Sequence, residues 1–377
     1  MIWISLTGIM DNKGVIGKVY HDSGLQLLQT QTLHSSVGIK SIFFNSDGTK
    51  LYALNLEGMH IDEFSQTTKK ILRRISFKPT KSPGLDYESN RIIPSFAEKP
   101  VEACFSHSGK ILWVSLHNAG GITPVILDST ILKKTLLRSA LYKTAYISDL
   151  ERGIKTRVEF PVIQTGKIPK VIAKTANDKY LVVSNWGSKT ISILMINDSI
   201  PPYGTKIATI PTSATPRGIA VDDKNNNTYV GLMGGNTIIR INNKTWKVDK
   251  NIIVPQNPRH LIMDTLGHLF VSFNAVSQVA CIETKTDKIL FKAQTHSQPR
   301  TIALSGNQKF LFITCYTGNK LDIFKINNRS FQKIYALNCP GKPVGIAIHE
   351  NEKKLEAWVC NYTAGYIKVF TFMKTYP

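Results

Sequence analysis

Four cations recur at one place in a repeated unit. Lys170, Arg217, Arg259 and Arg300 each follow a proline (Pro169, Pro216, Pro258, Pro299), at intervals of 47, 42 and 41 residues. If folding brought them to one place, their chemistry would be anion recognition. Guanidinium groups form paired hydrogen bonds to carboxylate or phosphate, and an ammonium adds a point charge. The alternative use of such long side chains is to cap backbone carbonyls or to pair with aspartates in turns. The equivalent place in earlier and later units is read as Ile39, Glu102 and Val344, so Glu102 is the one acid among the candidates.

Six of the seven units hold a second set of candidates, at the end of the second apolar run: "LN" (54–55), "HN" (117–118), "NW" (185–186), "FN" (273–274), "CY" (315–316) and "NY" (361–362). Asn185 and its counterparts suit turn backbone. Trp186, Tyr316 and Tyr362 offer flat faces for stacking beside the cations, as single-strand nucleic acid binders use them, although core packing is the commoner role of such rings. His117 and His260 are the two histidines whose positions face the same region.

Established catalytic signatures are missing. The sequence holds no G-x-S-x-G elbow, Walker loop, H-E-x-x-H or dinucleotide turn. The five cysteines (Cys104, Cys281, Cys315, Cys339, Cys360) have no metal-ligand spacing, so no zinc, other metal or cofactor is expected. Four of them fall inside expected strands and read as small apolar residues. One disulfide bridge stays open.

The elements that position these residues follow from the repeat. "TPRGIAVDDKNNNTYVGL" (215–232), "NPRHLIMDTLGHLFVSF" (257–273) and "QPRTIALSGNQKFLFIT" (298–314) share a proline, an apolar run, a polar turn and a second apolar run. The opening prolines are Pro100, Pro169, Pro216, Pro258, Pro299 and Pro343, with Gly38 in that place in an earlier copy. A period near 40–45 residues, built of short β-branched and aromatic runs with Gly/Asn/Asp turns, predicts four-stranded propeller blades. The expected fold is all-β, a seven-bladed propeller over residues 25–377, preceded by an unplaced extension at 1–24. The last unit stops after its third strand. "LQLLQTQTL" (25–33) has no unit of its own, so it is predicted to pair with 366–372 and close the ring, since an open ring would expose sheet edges.

Two insertions interrupt the repeat. Residues 78–99, with three prolines, read as a loop. Residues 119–143 lengthen the second unit between its second and third strands. There Ile131, Leu132, Leu136, Leu137, Ala140 and Leu141 recur at helical spacing, which predicts a short helix packed on its own domain. A basic amphipathic helix on an anionic membrane or a partner is the alternative.

"PKVIAKTANDKYLVVSNWGSKTISIL" (169–194) and "KPVEACFSHSGKILWVSLHN" (99–118) resemble the repeat of YVTN-type β-propeller proteins. The resemblance extends over roughly residues 37–377. It implies the propeller fold, a bacterial source and a place in the periplasm or at the cell surface. It leaves function broad, because the family includes surface-layer and antigen-like proteins, a single-strand DNA binder and relatives of lactonase-like propellers.

Composition adds a direction. The net charge is +21, from 47 Lys+Arg against 26 Asp+Glu, which favours anionic partners. A merely solvated basic surface is the alternative, since the lysines form no dense block. No apolar run approaches the roughly 18 residues of a membrane helix, and the N-terminus lacks the pattern of a secretory signal. The expectation is a non-enzymatic, monomeric binding propeller for an anionic ligand or a protein partner. A lactonase- or lyase-like enzyme and a single-stranded nucleic acid binder are the alternatives.

Overall fold

The computed structural model describes residues 24–86, 89–128, 141–197 and 201–375. Apart from a single turn of 3-10 helix at His107–Gly109, the regular elements among these residues are strands. In the fourth unit, Thr215–Asp222, Asn227–Met233, Thr237–Asn242 and Lys247–Ile253 form a meander, with Ile219 opposite Val230 and Val230 opposite Ile239. Short polar turns join such strands. In the first unit Gly48 adopts φ +71°, while the Asn45 and Asp47 side chains accept hydrogen bonds from the Lys50 and Thr49 amides. That is Asx-turn chemistry, with glycine where the backbone is left-handed.

Units three to six each make one four-stranded antiparallel sheet. The seventh sheet joins Pro343–Glu350, Lys354–Asn361 and Tyr366–Lys374 to Leu25–His34. Leu25 lies opposite Lys374 and His34 opposite Tyr366, so the first described strand completes the last blade. The chain is a seven-bladed β-propeller, closed by its N-terminal strand as the missing fourth strand requires.

The core lies between the blades. One buried cluster sets Tyr229, Ile238 and Ile252 of blade 4 against Leu261, Val271 and Ala280 of blade 5, and another sets Leu33 and Trp358 of blade 7 against Ile42 and Phe64 of blade 1. Each sheet is therefore covered on both faces. This is why its strands read as near-continuous apolar runs and not as strict alternation. All five cysteines are free thiols, four of them fully buried.

Both insertions differ from the reading of the sequence. Within 78–99 the chain forms a hairpin, Lys81–Asp86 against Arg91–Phe96. Its prolines look like loop residues, yet Pro83 and Pro94 share one rung, so the two missing N–H donors coincide. In blade 2 the third strand, Gly121–Ile126, follows directly on the second, and the insertion comes after it. Ile131, Leu132, Leu136, Leu137 and Ala140, on which the helix reading rests, lie outside the described residues. Leu141 and Lys143 belong to a strand, Leu141–Asp149. That strand pairs with the outer strand of blade 1 (Ala145 opposite Phe77) and with Ile154–Gln164. The far end of Ile154–Gln164 is the outer strand of blade 2, with Ile163 opposite Ile122. Blades 1 and 2 thus share one nine-stranded sheet. The Lys143 ammonium reinforces it at 2.5 Å from the fully buried Glu98 carboxylate.

Removing residues 1–34 opens blade 7 and exposes Phe370 and Phe372, which are at most 2% accessible in the closed ring. We expect the shortened chain to lose its cooperative thermal transition. Unchanged melting by circular dichroism would contradict the closure.

Candidate functional site: a cationic cavity at the channel mouth

In blades 3, 5 and 6 the inner strand begins one residue before a cation, and in blade 4 two residues before it; the local register explains how that side chain reaches the channel. Pro169 lies opposite Asn185, Pro216 opposite Leu232, Pro258 opposite Phe273 and Pro299 opposite Cys315. In every case the pairing then slips, and the residue after the proline sits in that irregularity. The same register puts Ile39 opposite Asn55 and Pro100 opposite Leu116. Two assignments made from the sequence are therefore shifted by one residue. The ring place of blade 1 belongs to Lys40 and not Ile39, and that of blade 2 to Val101 and not Glu102. Around the axis the ring reads Lys40, Val101, Lys170, Arg217, Arg259, Arg300 and Val344.

Hydroxyl groups hold this ring in place from the neighbouring blade. Ser115 donates to the Lys170 carbonyl (2.8 Å), Ser184 to that of Arg217 (3.0 Å) and Ser272 to that of Arg300 (2.7 Å). Ser41 does the same for Val101 and Thr301 for Val344, at 2.8 and 2.6 Å. Blade 4 has Gly231 where blades 2, 3 and 5 carry Ser115, Ser184 and Ser272. There the next blade comes closer, because a Cβ on the neighbouring Gly218 would lie 2.7 Å from the Arg259 carbonyl.

The five cations line one cavity of about 670 Å³. Lys99 and Lys342 extend the positive lining, and the carboxylates of Glu57 and Asp86 answer it. Glu57 is already engaged at 2.6 Å by Lys99 and at 3.1 Å by the Tyr362 hydroxyl. Gly84, Leu85, Ile93 and Ser95 of the 81–96 hairpin also line the cavity. The Asn118 amide anchors that hairpin to blade 2, donating to Ser95 Oγ (3.0 Å) and the Phe96 carbonyl (2.9 Å).

The sequence candidates separate into those the cavity gathers and those it does not. Lys170, Arg217, Arg259, Arg300, His117, Trp186, Tyr316 and Tyr362 all line it. Glu102 does not. It reaches over from blade 2 to pair with Arg217 at 2.9 Å, the use in ion pairing that the sequence allowed for such cations. Asn185 is fully buried and satisfies its own blade, donating to Thr190 Oγ1 and Ser192 Oγ. Arg300 lies flat over Tyr316, 3.5 Å from the ring centroid, and Lys40 is 5.2 Å from that of Tyr362. Among the described residues, no carboxylate comes within 4.0 Å of Lys40, Arg259 or Arg300, and Arg300 Nε is buried without a hydrogen-bond partner. Sequence reasoning missed Lys40. Aligning Ile42 with Ile172 instead of Gly38 with the prolines would have found it.

Burial sets the electrostatics of the mouth. Loss of solvent, then the charges of Arg300, Arg259 and Arg217, holds the Lys40 ammonium well below the usual lysine range. Lys170 is lowered in the same way, by burial first and then by Lys40 and Arg217. Burial and the neighbouring Arg300 and Arg217 lower even Arg259, and Arg300 falls to about 10. Burial drives His117 to about 2, with Lys170 adding to it. It drives His260 to about 3, with Arg217 and Arg259 adding to it. The Ile302 amide points at His260 Nδ1 (3.4 Å), which fits a neutral ring accepting there. Cations in water-poor surroundings favour bound anions, since attraction strengthens as the local dielectric falls.

No protein-family model matches the chain. Among curated proteins it is similar to Antigen Lp49 of Leptospira interrogans serogroup Icterohaemorrhagiae serovar copenhageni (strain Fiocruz L1-130), with 25% identity over 160 residues, 40% of this chain and 34% of that protein. The match therefore spans about a third of the relative's length. Solved structures give the fold. The WD40 propeller domain of Doa1 superposes with a TM-score of 0.61 at 14% identity, covering 92% of this chain and 97% of its own. Streptogramin B lyase does so at 0.62 and 15%, covering 92% and 97%. Kuenenia stuttgartiensis hydrazine synthase does so at 0.64 and 15%, covering 89% and 96%. These neighbours, a WD40 domain, a lyase and a synthase by name, share the fold with this chain. No described helix is long and apolar enough to cross a membrane.

The histidines give a pH dependence. Both are neutral in the fold, with values below their ordinary 6.5, so the unfolded chain takes up protons first as pH falls. Their contribution is complete above about pH 6.5 and declines from there towards pH 3. Between pH 6.5 and 5, before carboxylates titrate, each is expected to withdraw up to about 2 kcal/mol. Urea melts of wild type and His260→Gln across that window check this. Parallel losses in the two proteins would contradict it.

Proposed function

We propose that this chain is a non-enzymatic binding propeller whose channel mouth takes a small, multiply charged anion. The observation that carries the reading is the set Lys40, Arg259 and Arg300, which share one cavity with no carboxylate of the described residues within 4.0 Å of them. Held-together like charges repel unless an anion compensates them, and the guanidinium fork fits carboxylate or phosphate. Lys170, Arg217, His117, Trp186, Tyr316 and Tyr362 complete the proposed site, with Glu102 holding Arg217 in place. The 81–96 hairpin lines the mouth and supports a compact ligand over a long polymer. An acidic side chain of a protein partner would use the same charges. We further infer a YVTN-type propeller of bacterial origin, acting as a monomer in the periplasm or at the cell surface. The likeness to Antigen Lp49 supports that inference.

A second reading, single-stranded nucleic acid, is favoured by the three aromatic rings that line the mouth beside the cations. A lyase-like reading draws on the streptogramin B lyase neighbour. It would draw on the acids and histidine of the mouth, Glu57, Asp86 and His117, of which Glu57 is already engaged by Lys99 and the Tyr362 hydroxyl.

The test is titration calorimetry with pyrophosphate, citrate and a short single-stranded DNA at two salt concentrations. Wild type should bind at least one small anion, more weakly at higher salt. Arg259→Glu should lower that affinity roughly tenfold or more, since a charged hydrogen bond of about 1.5–3 kcal/mol is lost, with little change in melting temperature. Equal affinity in Arg217→Ala/Arg259→Ala would remove the ring from the site. Tighter binding of the oligonucleotide than of either small anion would favour the second reading.

A further inference from the structure

The ring sets two amines, Lys40 and Lys170, among its guanidinium groups, and the two kinds of cation are not chemically equivalent. A guanidinium stays protonated and can only hold an anion, whereas a lysine that has lost its proton is a nucleophile. We propose that Lys40 is a reactive amine that condenses with a small anion carrying an aldehyde or ketone, so that the mouth captures a carbonyl-bearing acid as an imine. This rests on the anion-binding reading and deepens it by naming the ligand class.

Three observations support it. Lys40 lines the cavity together with Arg217, Arg259 and Arg300, so an acid held by the guanidinium groups shares its enclosure with the amine. No carboxylate among the described residues lies within 4.0 Å of the Lys40 ammonium, whose recorded neighbour is the face of Tyr362. Three other lysines with mostly buried side chains are committed: Lys99 to Glu57, Lys143 to Glu98 and Lys69 to Glu356. Finally, desolvation and three neighbouring guanidinium charges all disfavour the protonated form of Lys40. Burial beside other cations is how a lysine becomes nucleophilic near neutral pH.

The step balances without a further reactant. The amine lone pair attacks the carbonyl carbon while the C=O π pair moves to oxygen, giving a carbinolamine. The oxygen then leaves as water with both hydrogens of the amine nitrogen, and the C=N bond forms. Nothing is oxidised or reduced, and hydrolysis returns the free amine and the ligand.

Reductive trapping tests this on the full chain. Wild-type protein is incubated with pyruvate and cyanoborohydride, with acetone as the neutral control, and the adducts are mapped by peptide mass spectrometry. The adduct from pyruvate should sit on Lys40, at least tenfold above any other lysine, and should be absent in Lys40→Arg and Lys40→Met. Arg259→Ala should diminish it, and acetone should show no such preference. Adducts spread over surface lysines, placed on Lys170 instead, or equal for pyruvate and acetone would overturn the proposal, and the wild-type map decides this even if a variant folds poorly. If wild type binds pyrophosphate or citrate in an Arg259-dependent way yet Lys40 is not labelled, the imine fails and the anion site stands. If neither occurs, both fail.

Discussion

A buried hydroxyl on one blade, donating to the backbone carbonyl of a ring residue on the next, is the contact on which the channel mouth depends. Ser115, Ser184 and Ser272 hold the carbonyls of Lys170, Arg217 and Arg300. Outside the shared sheet of blades 1 and 2, no backbone ladder among the described residues joins one blade to the next. These bonds and the apolar clusters between sheets therefore set how far each inner strand stands from the axis. A hydroxyl bond of this kind fixes direction as well as distance. Its loss would leave a buried carbonyl unsatisfied, at a cost of about 1–3 kcal/mol.

That scaffold carries an unfavourable load. Lys40, Lys170, Arg217, Arg259 and Arg300 face one cavity, and Glu102 compensates only Arg217 by direct contact. Elsewhere the molecule balances buried charge closely. Arg74 meets Asp62 at 2.6 Å, and Arg73 and the Tyr52 hydroxyl both meet Glu63. The contrast separates charge paired for stability from the charge that the proposed anion would balance. Large clusters between blades, with Trp113 and Trp358 fully buried, supply the stability against which the mouth keeps its repulsion. Sites that bind ligands commonly hold such locally unfavourable arrangements.

Much of this was legible in the sequence because a propeller converts a period into a ring. The spacing of Pro169, Pro216, Pro258 and Pro299 was enough to bring Lys170, Arg217, Arg259 and Arg300 together, and the missing fourth strand of the last unit pointed to Leu25–His34. Lys40 was hidden because its unit carries Ile39 where the others have proline, so Gly38 looked like the equivalent residue. Glu102 was misplaced by the same single step. The 81–96 hairpin was hidden by its prolines, which argue against strands until they are seen to share a rung. The strand Leu141–Asp149 could not be read locally, since the edge it pairs with, Ile71–Phe77, is remote in sequence.

The sheet shared by blades 1 and 2 makes the ring mechanically uneven. Continuous backbone hydrogen bonds run from Ile39 through Leu141–Asp149 to Pro100, so these two blades move as one plate. Blades 3 to 6 are separate plates, joined to their neighbours by side-chain packing and hydroxyl-to-carbonyl bonds and not by a ladder. Lys170, Arg217, Arg259 and Arg300 ride on this compliant arc, one per plate, while Lys40 is fixed to the stiff one. Small tilts of the compliant plates would change the aperture among the guanidinium groups without breaking a ladder bond. The ring could then tighten on occupants of different size while its closing strand stays paired.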